Sequence, residues 1–213
     1  GCYEYTTRFT GLPGHGSLPD DGVNAVEFAA RYVGHLLYLK NQLRHRAPTN
    51  SRFDPPWTTI NVGAVHGGVA HNEIAPTAEV DWEMRPVQTS DAAYVKNSLQ
   101  AYCETELLPD MQAVSADTSI ATEIIGEVAG LEPTQVNEAL RIVAELTGAN
   151  GADVVSFGTE AGIFQNLGMD VVVCGPGSID QAHKADEYVA LDQLAQCSKM
   201  LQRLASRLSK SED

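Results

Sequence analysis

The sequence predicts an α/β protein in two parts: an α+β unit of the split β-α-β-β-α-β, ferredoxin-like kind, then a stretch patterned for a parallel sheet between helices. Three observations carry this. In the first part single apolar residues alternate with polar ones, the period of strands with one wet face. Two longer stretches between those strands repeat apolar residues every three or four positions, the period of amphipathic helices. Beyond about residue 127 the strand-like segments become short continuous apolar runs alternating with helices, as in sheets buried on both faces.

Tyr3, Tyr5, Thr7 and Phe9 alternate with Glu4, Thr6 and Arg8 and predict the first strand. The turn-rich GLPGHGSLPDDG leads into a helix to about Arg46, with Val26, Ala29, Ala30, Val33, Leu36, Leu37 and Leu43 along one side. Pro48 and a polar loop end it. Thr58 to Val65 reads as the second strand, and Ala78, Val80, Trp82 and Met84, alternating with Glu79, Asp81, Glu83 and Arg85, as the third. Ser90 is the expected cap of a second helix carrying Ala92, Val95, Leu99 and Tyr102 and stopping at Pro109. A fourth strand covers about Thr118 to Ile125. Further on, Pro133 opens a helix that Gly148 ends. Strands at Val154 to Phe157 and Val171 to Cys174 and helices at Ala161 to Leu167 and Leu191 to Leu208 complete the chain. Two buried strands cannot form a stable sheet alone, so more sheet is expected in a preceding segment or another chain.

The 213 residues include 14 basic and 28 acidic ones, a net charge of −14. Up to residue 126 there are 8 basic and 15 acidic residues, and beyond it 6 and 13, so each part carries −7. Spread-out acidity excludes a nucleic-acid or anionic-membrane partner, which needs a basic face. No apolar run reaches the roughly 18 residues of a membrane span, and GCYEYTTRF is not a signal peptide. Cys2, Cys103, Cys174 and Cys197 follow no metal spacing and read as the reduced thiols of a cytoplasmic protein.

Four stretches stand out, each with an ordinary account beside a functional one. His15, in Gly14-His15-Gly16-Ser17, is a solvated loop histidine or a ligand-facing one. His66, His71 and Asn72, in GAVHGGVAHNEIAP, decorate a hairpin or a site. Arg85 is a surface ion-pair partner of its acidic strand neighbours or an anion clamp. His183, with Asp186 and Glu187, follows a buried strand at the carboxyl edge of a parallel sheet, where ligands collect, and imidazole is a common metal ligand.

Taken in order, GHGSLPDDGVNAVEFAARY, FDPPWTTINVGAVHGGVAHNEIAPTAEVDWEMRP, VSFGTEAGIFQ and VVVCGPGSIDQAHKADEYV resemble the C-terminal part of the co-catalytic zinc aminoacylase and carboxypeptidase family, on the branch that deacetylates N-acetylornithine. The resemblance implies a lid and dimerisation domain over residues 1–126 and the returning end of a zinc-peptidase-like α/β catalytic domain over 127–213. It implies a cytoplasmic homodimer, joined through the lid, that releases acetate and ornithine for arginine biosynthesis with two zinc ions, or cobalt, per site.

Residue by residue, the resemblance makes His183 a metal ligand and His15 the catalytic lid histidine that steadies the oxyanion in the partner subunit's site. Asn72, Arg85, Gly158, Thr159 and Glu160 become substrate-binding positions, with Arg85 gripping the α-carboxylate. Glu160 is expected to pair with the δ-ammonium of N-acetylornithine. The family's remaining metal ligands and general base lie before the lid, and nothing in this sequence matches them, so this polypeptide alone is expected to bind zinc weakly and hydrolyse nothing. Two alternatives stay open: a broader N-acyl amino acid deacylase, and a non-catalytic dimerisation or binding module.

Overall fold

A computed structural model describes residues 1–155, 158–182 and 184–209. The chain separates into two compact units, residues 1–132 with 154–163, and residues 133–153 with 164–213.

The first unit is built on four long antiparallel strands. They are β1 (Cys2–Thr10), β3 (Thr59–Gly67), β5 (Thr77–Arg85) and β6 (Ser119–Val128), with the two-residue strands β2 (Gly14–His15) and β4 (Glu73–Ile74) forming a separate ladder. The sheet order β3-β5-β1-β6 is that of the ferredoxin-like split β-α-β-β-α-β unit. Alternation sets the two faces. Tyr5, Thr7 and Phe9 of β1 and Ala78, Val80, Trp82 and Met84 of β5 are buried, whereas Arg8 is exposed and bonds both Glu79 and Glu123 across the other face.

Helix α1 (Ala25–His45) buries Ala25, Ala29, Tyr32, Leu36, Leu39 and Leu43 at helical spacing against this sheet. Its Asn24 cap accepts the Val26 N–H at 3.1 Å. Each fully buried leucine contributes about 2 kcal/mol of transfer free energy. Tyr5 stacks on Trp82 with ring centroids 4.4 Å apart, and Phe9 meets Tyr32 edge-on at 5.5 Å.

Two polar clusters lie within this apolar layer. Thr7 Oγ1 accepts the indole N–H of Trp82 and bonds the Tyr32 hydroxyl, each at 3.1 Å. The carboxylate of Asp91, 1% exposed, accepts from Thr58 at 2.6 Å, Arg46 at 3.0 Å and Gln88 at 3.1 Å, tying the end of α1 to the start of the next helix.

That helix, α2 (Thr89–Tyr102), departs from expectation at both ends. It starts after Gln88 with no side-chain cap, so Ser90 lies inside it rather than before it. It also does not stop at Pro109. A π-helical turn over Cys103–Leu107, closed by Leu108 N–H to the Cys103 carbonyl, leads into α3 (Leu108–Gln112), where Pro109 occupies the first turn and needs no N–H bond. In β6 the ladder shifts register between Glu4 and Tyr5, and the strand runs on to Val128.

In the second unit α4 (Glu138–Thr147) begins later than Pro133. Asn137 caps it, its side chain accepting the Leu140 N–H at 2.9 Å while its amide bonds the Val171 carbonyl at 2.8 Å. Gly148 ends this helix in the left-handed conformation, φ 77°. The short α5 (Ala161–Asn166) and the long α6 (Leu191–Leu208) follow the pattern read from the sequence. The run 171–174 is not a strand, because none of the described residues pairs with it, and an extended segment becomes a strand only through a ladder. Val154 and Val155 are likewise outside any strand, and Ser156 and Phe157 lie outside the described residues.

Candidate functional site

The β1–α1 loop and the β3–β5 hairpin are far apart in sequence but meet through the β2–β4 ladder, with Gly14 opposite Ile74 and His15 opposite Glu73. Gly16 N–H continues the contact to the Asn72 carbonyl at 2.8 Å. A Cβ on Gly16 would stand 3.0 Å from that oxygen, so glycine permits the close approach. His15 and Asn72 therefore share one exposed end of the first unit.

The His15 ring is oriented locally. Its Nδ1 accepts the Ser17 backbone N–H at 3.2 Å and lies 2.8 Å from Ser17 Oγ. Because a backbone N–H can only donate, the neutral ring carries its proton on Nε2. That leaves a solvent-exposed N–H able to donate to an anionic oxygen.

Arg85 occupies the opposite end of β5, with Tyr3 of β1 facing the neighbouring Met84. Eight residues separate it from Thr77, about 26 Å at roughly 3.3 Å per residue, and the β2–β4 ladder lies beyond Thr77. Its guanidinium grips Glu83 through Nε to Oε1 at 3.3 Å and Nη2 to Oε2 at 2.9 Å, with 43% of the side chain exposed. This carboxylate is the one an incoming anion would displace.

The segment 158–163 joins this same end. A Cβ on Gly158 would lie 3.7 Å from Cys2 Cβ, and one on Gly162 would stand 2.2 Å from the Ala129 carbonyl oxygen, so only glycine fits there. Thr159 Oγ1 accepts the Ala161 N–H at 3.2 Å, Ala161 is buried, and Glu160 is exposed. The candidate residues thus form two groups at opposite ends of one sheet: His15 with Asn72, and Arg85 with Gly158, Thr159 and Glu160. His183 lies outside the described residues.

Among the described residues one cluster offers three metal-ligating side chains, Cys2, Glu4 and Glu83, with ligand atoms within 4.8 Å of one another. It does not suit a dinuclear zinc centre. It contains no histidine, Glu83 is engaged by Arg85, and burial pushes the Cys2 thiol up, away from the thiolate a metal needs. Neither His66 nor His71 joins any such cluster among those residues. All four cysteines are free, and no helix among the described residues is long and apolar enough to cross a membrane.

The first unit is thus a four-stranded ferredoxin-like sheet with candidate polar residues at its two opposite ends. Residues 1–111 match the family described as the peptidase dimerisation domain, and the chain belongs to that family. The chain is 34% identical over 193 residues to an acetylornithine deacetylase of Myxococcus xanthus, covering 91% of this chain and 49% of the relative. A Pectobacterium atrosepticum acetylornithine deacetylase is 35% identical over 182 residues, 85% of this chain and 45% of its own. The chain spans about half the length of these relatives and aligns with their C-terminal half.

Solved structures share the fold. A tripeptidase from Staphylococcus aureus superposes with TM-score 0.63 at 18% identity, covering 94% of this chain and 49% of its own. An aminopeptidase, PepT, from Bacillus cereus gives 0.65 at 16%, covering 94% and 50%. The chain is therefore a mixed α/β member of a hydrolase family, similar to the C-terminal half of acetylornithine deacetylases.

Proposed function

We propose that this chain is the lid, residues 1–126, and the end of the catalytic domain, residues 127–213, of a metal-dependent amidohydrolase that removes the acetyl group from N-acetylornithine. One observation carries the reading: the β2–β4 ladder gathers His15 and Asn72 at one end of the sheet, while Arg85 and Gly158–Glu160 gather at the other. Neither group could complete a site for a small substrate alone, and two copies related by a two-fold axis would bring unlike ends together.

The two sheet edges indicate how copies would join. Edge strand β6 carries Glu123 and Glu127, charges that blunt pairing with another chain. Strand β3, TINVGAVHG, has a bulge at Gly63 but no charged residue and no proline. Beside it α1 exposes Leu37 and Tyr38. In the proposed homodimer β3 pairs antiparallel with its two-fold copy. The Gly67 end, next to His15 and Asn72, then lies beside the partner's Thr59 end, which faces Arg85 in the ladder.

In the proposed site Arg85 would exchange Glu83 for the substrate α-carboxylate, a fork-like two-point grip. The Nε2–H of His15 would donate to the oxygen that becomes anionic when the acetamide carbonyl is attacked. Glu160 would face the δ-ammonium. Zinc or cobalt, held by His183 and by ligands outside this sequence, would supply Lewis-acid activation; the described residues by themselves do not form such a centre. The cytoplasm and arginine biosynthesis belong to the same reading.

The test is hydrolysis of N-acetylornithine and N-acetylmethionine by the protein that carries this sequence. The expected result is metal-dependent release of acetate with preference for N-acetylornithine, and a Glu160→Gln variant that loses that preference. An unchanged preference in Glu160→Gln would remove its assigned role, and absence of any amide hydrolysis would favour the non-catalytic alternative.

A further inference from the structure

The first unit contains a groove that the proposed hydrolysis does not use. It opens between α2, its π-helical extension and edge strand β6, on the helix side of the sheet, with a volume of about 350 Å³. The buried rings of Tyr5, Tyr32 and Trp82 form its floor. Leu99, Cys103 and Leu108 form the helical wall. Ile120 and Ile124 form the strand wall, and Ile124 is 60% exposed although its side faces the helix layer. The π turn Cys103–Leu107 contributes Cys103 and Glu104 to this lining, and such turns often mark functional positions.

The mouth is charged unevenly. The ammonium of Lys96 bonds Glu127 Oε1 at 2.9 Å, and the same oxygen accepts the Tyr5 hydroxyl at 2.6 Å. Across the opening Glu104 accepts only from the neutral Gln100 amide, at 2.8 Å, and pairs with no cation among the described residues. The mouth is left with one negative charge over an apolar, aromatic cleft. A groove of a few hundred Å³ with a few polar groups at its rim suits a small molecule. A second copy fits poorly, because β6 presents Glu123 and Glu127 along its edge and each copy carries −14.

We propose that this groove binds a small molecule with an aromatic or branched apolar body and an ammonium head, the body against the Trp82–Ile124 cleft and the head at Glu104. This inference does not depend on the assigned hydrolysis, and it is tested by binding alone. Three probes share a phenyl ring: 2-phenylethylamine, 3-phenylpropanoate and ethylbenzene. They are titrated into the protein that carries this sequence by calorimetry and methyl NMR. The expected result is saturable binding of 2-phenylethylamine that shifts the Leu99, Leu108, Ile120 and Ile124 methyls. An exposed charge pair of about 1 kcal/mol corresponds to an affinity about five-fold above that of either other probe.

Glu104→Gln should abolish that preference while circular dichroism and thermal midpoint stay unchanged, and Ile124→Trp should fill the cleft and block all three probes. The methyl shifts locate binding whether or not the tryptophan variant folds. Shifts elsewhere, non-saturable binding, equal affinity for all three probes, or a preference that survives Glu104→Gln would overturn the proposal. So would a change of sedimentation coefficient in an Ile124→Glu variant, which would mean that a second copy occupies the groove.

Discussion

Mixing two inactive variants tests the shared site directly. About 26 Å of β5 separates Arg85 from Thr77, at the sheet end that carries His15, whereas an N-acyl amino acid reaches no more than about 10 Å, the length of three extended residues. No single copy can therefore place both on one substrate, and the proposed antiparallel β3 pairing would supply the second group from the partner. His15→Ala and Arg85→Ala homodimers are each expected to lose at least about 100-fold in kcat/KM, the scale of a lost transition-state donor. In a mixed dimer one site combines the intact Arg85 of the His15→Ala copy with the intact His15 of its partner, and the other site lacks both.

If copies exchange freely, half the dimers are mixed and half their sites are intact, which restores about a quarter of the unsubstituted activity. The assay is acetate release after equimolar variants of the protein carrying this sequence are denatured together and refolded, with Asn72→Ala plus Arg85→Ala as a second complementing pair. His15→Ala plus Asn72→Ala should not complement, because those residues share one end. A His15→Ala and Arg85→Ala mixture no more active than its parents would refute the shared site.

Further expectations concern the scaffold. Leu36, fully buried beneath the sheet, should cost about 3 kcal/mol as Leu36→Ala; an unfolding free energy from urea titration lowered by less than about 1 kcal/mol would contradict the burial. Gly162→Ala places a methyl against the Ala129 carbonyl and should cost about 2 kcal/mol locally. Hydrogen exchange would reveal this as faster exchange at Ile163 with no change in α1. His35 stacks on Tyr102 at 4.2 Å and bonds Ser98 Oγ at 3.1 Å, and burial holds its pKa below the ordinary histidine value. The unfolded chain therefore binds this proton more readily. The His35 contribution is complete above about pH 6.5 and is lost as the pH falls toward the folded pKa. Thermal midpoints at pH 7.5 and 5 should differ more in the unsubstituted protein than in His35→Phe, and equal differences would refute the assignment.

How much was legible depended on whether local pattern or distant contact decides an element. The long strands and α1 were legible because each has one wet and one dry face, which writes itself into period 2 or 3.6. The β2–β4 ladder was not: two residues show no period, and its bonds form only after β1 and β5 bring the loops together. Pro109 misled because the π turn shifts the hydrogen bonds past it, and Pro133 because Asn137, held by Val171, makes the better cap. The motif loops flagged His15 and Asn72 separately, but nothing in the sequence placed them together or placed Arg85 at the far end. Thr7 with Trp82, and Asp91 with Thr58 and Arg46, left no signal, since single polar residues in apolar patterns look like surface positions.

The two units differ in what their amphipathic helices can bury. In the first, α1 sinks six residues into a sheet that is itself dry on that side. In the second, α6 carries an apolar stripe just as regular, yet Leu191 is 82% exposed, Leu201 and Leu208 remain more than half exposed, and of the whole helix Met200 alone is buried. A helix gains most of its stability from covering such a stripe rather than from propensity. The run Val171–Cys174 has the same deficit in hydrogen bonds: its composition suits a strand between two others, and no described residue flanks it. Both features would be satisfied by an apolar sheet face, and under the proposed function that face would come from the half of the relatives' length that this chain does not span.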